Sequence, residues 1–196
     1  MKITTDLIKE LRDATGISVI QCKKALEEAE GDIKKATVIL RKKGGDIAAK
    51  KSGRTLGAGV IQAYIHGNGA VGAMVELSCE TDFVAKNDEF KTLAYDIAMH
   101  VAAANPQFLK KEDVSEETKK IAFQVFEKEV EGKPEAIKAK ILEGKLNSYF
   151  AEKILLEQNF IKNPDLTINN LLESAIQKFG EKTAVTKFIR FSVLEN

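Results

Sequence analysis

The sequence predicts an α+β protein, with a small helical module ahead of a larger mixed domain. Three observations lead to this class. Apolar residues recur with the helical period over residues 1–43 and again between residues 87 and 180. They alternate with polar residues over 57–79, the pattern of a half-buried strand. The alternation returns at the carboxyl end, after a long helical stretch. We therefore expect a three-stranded antiparallel sheet packed with helices and carrying a helical hairpin.

Bulk composition limits the possible classes of protein. The 196 residues, 44% hydrophobic and 30% charged, can form one sizeable domain beside a small one. A net charge of +1 disfavours a protein that coats nucleic acid. The sequence shows no apolar run of membrane-spanning length and no secretory signal. Two cysteines are too few for a disulfide scaffold. We expect a cytoplasmic protein without a membrane partner.

Residues 1–43 are predicted to form a module of three short helices. Gly16 ends the first helix, Ser18 and Gln21 fit a capping box for the second, and Asp32 caps the third. The second helix has an apolar stripe at Cys22, Ala25, Leu26 and Ala29. A core of this size is marginal, which favours a docking element over a catalytic domain.

A basic segment follows, and we predict a linker at 44–56. The sequence KKGG at 42–45 is expected to stop the third helix. Residues 41–56 hold six basic side chains and one acidic one, separated by Gly and Ser. A solvated connector is one interpretation. A contact surface for an acidic partner or RNA is the other.

Residues 57–196 are predicted to form the α+β core domain. Asn68–Gly69 is a strong hairpin signal between the first two strands. The third strand is expected to point one set of side chains in a single direction: Val185, Ile189, Phe191 and Val193. Asn87 caps a helix over 87–104, and a helix from Thr167 ends at Gly180. Between them, helices from Ser115 to about Glu131 and from Pro134 to about Gln158 form an antiparallel hairpin over about 115–158, with its turn at 132–134.

We find no convergent set of catalytic groups in the sequence. His66, at the predicted hairpin tip, and His100, within a helix, lack partners at metal-ligand or triad spacing. No glycine-rich phosphate loop is present. Cys22 and Cys79 are interpreted as packing residues, with an intersubunit disulfide as the alternative. We expect neither catalytic residues, metal nor cofactor, so recognition is the remaining class of function.

Large apolar residues that the periodicity does not require are candidate contact points. Phe83 and Val84 lie between a strand end and a helix start, in ELSCETDFVAKNDEF. Ile20 points away from the apolar stripe of its helix, and Val19 lies near its edge. Periodicity alone leaves core packing and partner contact equally open for Phe83–Val84 and for Ile20.

These segments resemble the elongation factor Ts family. ELSCETDFVAKNDEF is similar to its Thr-Asp-Phe-Val segment, and LRDATGISVIQCKKALEEAEGDIKKA resembles its N-terminal ubiquitin-associated-like three-helix module. Similarity continues through IAMHVAAANPQFL, GKPEAIKAKILEGKLNSYFAE and VTKFIRFSVLE. It covers essentially the whole chain. Many members have Met-Met-Asp at the positions of Val19–Gln21.

The resemblance implies a translation elongation factor that is a guanine-nucleotide exchange factor rather than an enzyme. It would bind elongation factor Tu with GDP, displace Mg²⁺ and promote exchange of GDP for GTP. The resemblance implies that Thr81, Asp82, Phe83 and Val84 dislocate the Mg²⁺, with Phe83 as a wedge between partner helices. Secondary partner contacts would come from Arg12, Val19, Ile20, Lys23 and His66.

The resemblance also bears on assembly. Long family members carry a duplicated sheet subdomain, whereas this chain has one sheet unit. A second copy would supply the missing unit, so we expect a homodimer and a 2:2 complex. The alternative function is an RNA- or ribosome-associated adaptor that uses residues 41–54. Few aromatic residues lie beside that stretch, so we expect no direct nucleic-acid binding.

Overall fold

The computed structural model describes residues 3–130 and 134–193, except for the side chains of residues 135 and 136. Its helices are α1 (Thr5–Thr15), α2 (Val19–Glu28), α3 (Ile33–Lys51), α4 (Asp82–Ala85), α5 (Asp88–Ala104), α6 (Glu116–Glu129), α7 (Glu135–Ala151) and α8 (Ile168–Phe179). Its strands are β1 (Ala58–Ile65), β2 (Val71–Cys79), β3 (Asn159–Phe160), β4 (Asn163–Thr167) and β5 (Thr183–Ser192). The predicted α+β class is confirmed.

The N-terminal module forms as its caps predict. Gly16 ends α1 with φ 68°, Ser18 accepts the backbone N–H of Gln21, and Asp32 accepts that of Lys35. The predicted capping box at Ser18 is only half formed, since the Gln21 side-chain oxygen instead accepts from Gln177 Nε2 of α8 at 2.5 Å. The module core is built from residues of all three helices: Leu11, Cys22, Ala25, Leu26, Ala36 and Leu40.

The prediction that KKGG ends α3 is wrong, because the helix continues through both glycines to Lys51. Gly44 is buried where α3 crosses α8: a Cβ there would lie 3.1 Å from Gln177 Oε1 and 3.4 Å from the Glu173 carbonyl oxygen. The glycine therefore permits close helix packing and does not stop the helix. Much of the predicted 44–56 linker is helix, and only residues 52–57 connect α3 to β1.

Within the described ranges, the main sheet has the strand order β1-β2-β5 and is antiparallel throughout. Ala58 pairs with Cys79, and Val71 pairs with Ser192. α5 and α8 pack on one face of this sheet. The core between them contains Val75, Leu77, Cys79, Phe90, Ile97, Val101, Ile168, Leu172 and Val185.

A β-bulge in β5 corrects the predicted orientation of that strand. Leu77 pairs with Val185 and Glu76 with Lys187, so Thr186 is the extra residue. One extra residue reverses which side chains face the core. Val185 is buried, whereas the other three residues predicted to point with it lie on the opposite face: Ile189, Phe191 and Val193.

The sheet face away from the helices is apolar at its hairpin end. On β1, Tyr64 lies half-buried against the core, while Ile61 and Ile65 point outward. Ile65 of β1 pairs with Gly72 of β2, which pairs on its other side with Phe191 of β5, and Met74 pairs with Ile189. We call the outward residues Ile61, Ile65, Met74, Ile189, Phe191 and Val193 the open sheet face. All are exposed, from 44% for Met74 to 72% for Val193.

The predicted helical hairpin is confirmed by contacts between α6 and α7. Phe126 stacks edge-on with Tyr149 at 5.3 Å between ring centroids, and Lys145 Nζ donates to Glu129. From Phe126 to Glu129 along α6, the contacting residue moves backwards along α7, from Tyr149 to Lys145, as it does between antiparallel helices. α7 ends at Ala151 and not near Gln158, and the predicted turn at 132–134 includes residues outside the described part.

A short second hairpin, β3–β4, follows α7 and was not predicted. It is held to α5 through His100, which is 1% exposed. The backbone N–H of Ile161 donates to His100 Nδ1 at 3.4 Å, so the ring proton is on Nε2 and is donated to Gln158 Oε1 at 2.9 Å. Burial lowers the pKa of His100.

Candidate partner-binding site

The turn after β2 separates two neighbouring apolar side chains. Phe83 in α4 is 82% exposed, whereas Val84 is 4% exposed and packs in the core of the sheet domain. The sequence left core packing and partner contact open for Phe83, and the exposure of its ring excludes core packing. Val84 is a core residue, so its side chain is not available to a partner and instead anchors the turn that presents Phe83.

Thr81 and Asp82 hold this turn by side-chain contacts. The Thr81 backbone N–H and Oγ1 both donate to the carboxylate of Glu181, at 3.0 and 2.6 Å. Lys86 Nζ donates to Asp82 Oδ2 at 2.6 Å, one helical turn away. This hydrogen bond lowers the pKa of Asp82. Asp82 therefore carries its negative charge at neutral pH beside an exposed aromatic ring.

Glu80, immediately before the turn, ties it to two other segments. Its carboxylate accepts from the Lys182 backbone N–H at 2.6 Å and from Arg54 Nη1 at 3.1 Å. The backbone hydrogen bond, followed by the guanidinium, lowers the pKa of Glu80. The start of the Phe83 turn is thus fixed to the α8–β5 connection and to the chain that leaves α3.

The N-terminal residues predicted to contact a partner lie on the surface of the three-helix module. Val19 and Ile20 are 49% and 69% exposed in the first turn of α2. Lys23 follows Val19 by one turn and pairs loosely with Glu27 at 3.8 Å. Arg12 is exposed in the last turn of α1. For Ile20 the structure also decides against core packing.

His66 lies apart from the Phe83 turn. It follows β1 at the hairpin tip, and its Nδ1 lies 3.1 Å from Tyr64 Oη. The opposite end of β1, at Ala58, pairs with Cys79 beside the turn. At about 3.3 Å per strand residue, His66 is roughly 25 Å from that end. The structure therefore does not bring His66 together with Thr81–Val84.

The two cysteine thiols, the most reactive nucleophiles among the described residues, are packed in the protein interior. Cys22 and Cys79 are both buried, and burial raises the pKa of each thiol, which disfavours the reactive thiolate. Among the described residues, no group of three or more His, Cys, Asp and Glu side chains could hold a metal ion. Over the same ranges, none of the helices combines the length and the apolar character that a bilayer crossing requires.

Comparison with known proteins identifies the family. A family model described as Elongation factor TS matches residues 3–195. Elongation factor Ts of Carboxydothermus hydrogenoformans is 50% identical over 195 residues, covering 98% of this chain and 90% of the relative. Elongation factor Ts of Thermotoga neapolitana is 47% identical, covering 100% and 99%. The chain belongs to the elongation factor Ts family.

Membership in the elongation factor Ts family makes this protein an elongation factor of translation, as its sequence predicted. In this family member, Thr81–Phe83 form one exposed surface, and the three-helix module exposes Val19 and Ile20 on another. Sequence reasoning missed Glu181, which lies 100 positions from Thr81 in the chain. A lone glutamate after a helix-ending glycine carries no local signal of such a contact, so only the fold could reveal it.

Proposed function

We propose that this chain is a guanine-nucleotide exchange factor that acts in the cytoplasm. It binds elongation factor Tu with GDP, displaces Mg²⁺, and promotes GDP release and exchange for GTP. It performs no bond chemistry and needs no cofactor of its own. The single observation that carries this proposal is Phe83, an aromatic side chain 82% exposed on a turn whose next residue is buried.

The physical basis is linkage between two ligands of the same GTPase. A factor that binds the nucleotide-free form more tightly than the GDP form must weaken GDP binding by the same ratio. Typical couplings give about 5–150-fold, so rapid release of a tightly held nucleotide needs contact with its strongest holding elements. Those elements are Mg²⁺ and the loop amides around the phosphates.

Phe83 suits a wedge between helices of elongation factor Tu. A phenyl ring is rigid and bulky, and an exposed one gains apolar burial when it enters a partner. Val84 anchors the turn from inside, while Thr81 and Asp82 are held by Glu181 and Lys86. A wedge that is fixed before binding loses less conformational entropy when it inserts.

The remaining residues add affinity. We propose that Arg12, Val19, Ile20 and Lys23 dock the N-terminal module on the GTPase domain through an exposed apolar pair flanked by cations. His66 would make a separate contact from the hairpin tip. These residues should change the concentration of factor needed for exchange more than the maximal rate.

The test measures release of a fluorescent GDP analogue from elongation factor Tu, with the factor at sub-stoichiometric concentration. Acceleration with turnover is the expected result, and Phe83→Ala should reduce it at least about tenfold. Phe123→Ala is the matched control, since this Phe is also exposed, at 42%, but lies on α6 in the helical hairpin. Equal rates for Phe83→Ala and the unmodified chain would rule out the wedge.

We further propose that the active form is a homodimer that binds two copies of elongation factor Tu. The open sheet face supports this assembly because it is an apolar surface on a chain whose described residues form one main sheet. A two-fold axis would pack it against the same face of a second copy, as two sheets pack in a sandwich.

A further inference from the structure

The connection between α8 and β5, residues 180–182, joins the N-terminal module to the Phe83 turn. Lys51 Nζ at the end of α3 donates to the Gly180 carbonyl oxygen at 2.8 Å. Lys182 Nζ donates to the carbonyl oxygens of Ser52 and Arg54, at 2.6 and 2.8 Å. These contacts hold the connection in place from the side of α3.

Glu181 extends from this fixed connection to Thr81. One of its carboxylate oxygens accepts the Thr81 backbone N–H, and the other accepts the Thr81 hydroxyl. A carboxylate that receives two donors from one residue restrains the direction of that residue as well as its distance. The Lys182 backbone N–H reinforces the arrangement by donating to the adjacent Glu80.

Thr81 sets the direction of α4, and therefore of Phe83. It precedes α4 as its N-cap residue, with extended backbone angles of φ −127° and ψ 157°. An N-cap threonine ordinarily accepts a hydrogen bond from its own helix. Here its hydroxyl makes no such cap and donates to Glu181 instead. Because Phe83 is 82% exposed, its orientation depends on the backbone that carries it.

We propose that Glu181 is a positioning residue for nucleotide exchange: it holds Thr81 so that Phe83 is presented in the orientation that displaces Mg²⁺. This inference rests on the proposed function. Glu181 itself need not touch the partner. Its loss leaves the docking surface of the N-terminal module intact but lets the Phe83 turn sample other orientations.

The test measures two quantities for each variant: the maximal rate of GDP release and the factor concentration that gives half of that rate. Glu181→Ala is expected to lower the maximal rate about tenfold, because hydrogen bonds to a charged group are lost, with less than a threefold change in half-saturating concentration. Glu181→Gln keeps one acceptor oxygen for Thr81 and should restore part of the loss. Thr81→Val should resemble Glu181→Ala, and Thr81→Ser should recover most of what Thr81→Val loses.

Combining Glu181→Ala with Thr81→Val adds a readout that a merely structural role would not move. If both residues act through one contact, the double variant should be no slower than the slower single variant. Asp96→Asn is the matched control: this carboxylate also joins two elements, accepting from Lys162 Nζ at 2.6 Å, but it lies away from Thr81. It should leave the exchange rate unchanged.

Two outcomes would overturn the inference. One is a folded Glu181→Ala variant with an unchanged maximal rate. The other is a set of losses that multiply in the double variant, because independent effects would then be at work. Thermal unfolding of each variant supplies the folded fraction at the assay temperature, to which rates are normalised. If the unmodified chain fails to accelerate GDP release, the proposed function fails. If the unmodified chain accelerates release and the Glu181→Ala variant accelerates it equally, the proposed function stands and only the positioning role fails.

Discussion

Phe83 and Val84 are adjacent in the chain, yet one is 82% exposed and the other 4% exposed. Both are apolar, so hydrophobicity does not indicate which of the two side chains is exposed and which is buried. The one-turn helix α4 makes the distinction, because successive helical residues point about 100° apart. The structure thus separates an exposed side chain from a buried one at two positions that the sequence left equally open.

Phe83→Ala should leave the free energy of unfolding within about 0.5 kcal/mol of the unmodified chain, because an exposed ring fills no cavity. Phe90→Ala is the contrast: that ring is 0% exposed in the core, and its loss should cost about 3–5 kcal/mol. Denaturant unfolding followed by circular dichroism measures both. A large cost for Phe83→Ala would mean that the ring packs on its own chain.

His100 should make stability depend on pH. Burial lowers its pKa in the folded chain, so below about pH 6.5 the unfolded chain binds a proton that the folded chain does not. Stability is therefore complete above that pH and falls as the pH decreases, by at most about 1.4 kcal/mol per unit. Urea unfolding at pH 7 and pH 5.5 should show this loss, and His100→Gln should reduce it. Equal losses in both proteins would contradict the assignment.

At the scale of elements, the capping residues predicted helix starts well, because a cap is a local contact. Asn87, Ser115 and Thr167 each cap the helix that they were expected to cap. The predicted end of α3 and the predicted side-chain orientation in β5 were wrong, because each depends on contact with another element. Gly44 lies within α3 at its contact with α8 and does not end the helix. Thr186 is the extra residue of the β-bulge, opposite Glu76 of β2.

The glycine pair in α3 provides a matched test of that packing. At Gly45 an added Cβ would make ordinary contact, with its nearest atom 3.6 Å away, so Gly45→Ala should stabilise the chain by about 0.5–1 kcal/mol through helix propensity. Gly44→Ala should gain less or destabilise, because its Cβ would press on Gln177, which Gln21 holds in place. Thermal unfolding compares the two variants. An equal gain at both positions would show that α8 does not lie so close.

At the scale of the whole molecule, the site was predictable in part. Resemblance indicated Thr81–Val84, whereas Glu181, Arg54 and Lys182 became visible only when distant segments were brought together. The open sheet face was likewise hidden. Its residues come from three strands, and the bulge in β5 is needed to place Ile189 and Phe191 on it.

That face leads to a prediction about assembly. Phe191→Lys should convert a dimer to a monomer, because a buried lysine without a partner charge would be placed in an apolar interface. Ile121→Lys, on the exposed side of α6, is the control and should leave the oligomeric state unchanged. Sedimentation equilibrium measures the mass of each. A monomeric unmodified chain would refute the proposed dimer and leave this face free for another partner.

The continuity of α3 also determines where the chain can be divided. Residues 1–43 looked like a separable unit, but a cut after Lys43 would split a helix that is packed on α8 through Gly44. Limited digestion with trypsin should therefore spare the bonds after Lys42 and Lys43, although both lie in a basic stretch of the chain. Early cleavage near the junction should fall after Arg54, in the short non-helical connection. The three-helix module is consequently built into the body of the protein by its longest helix, and its movements should follow those of the sheet domain.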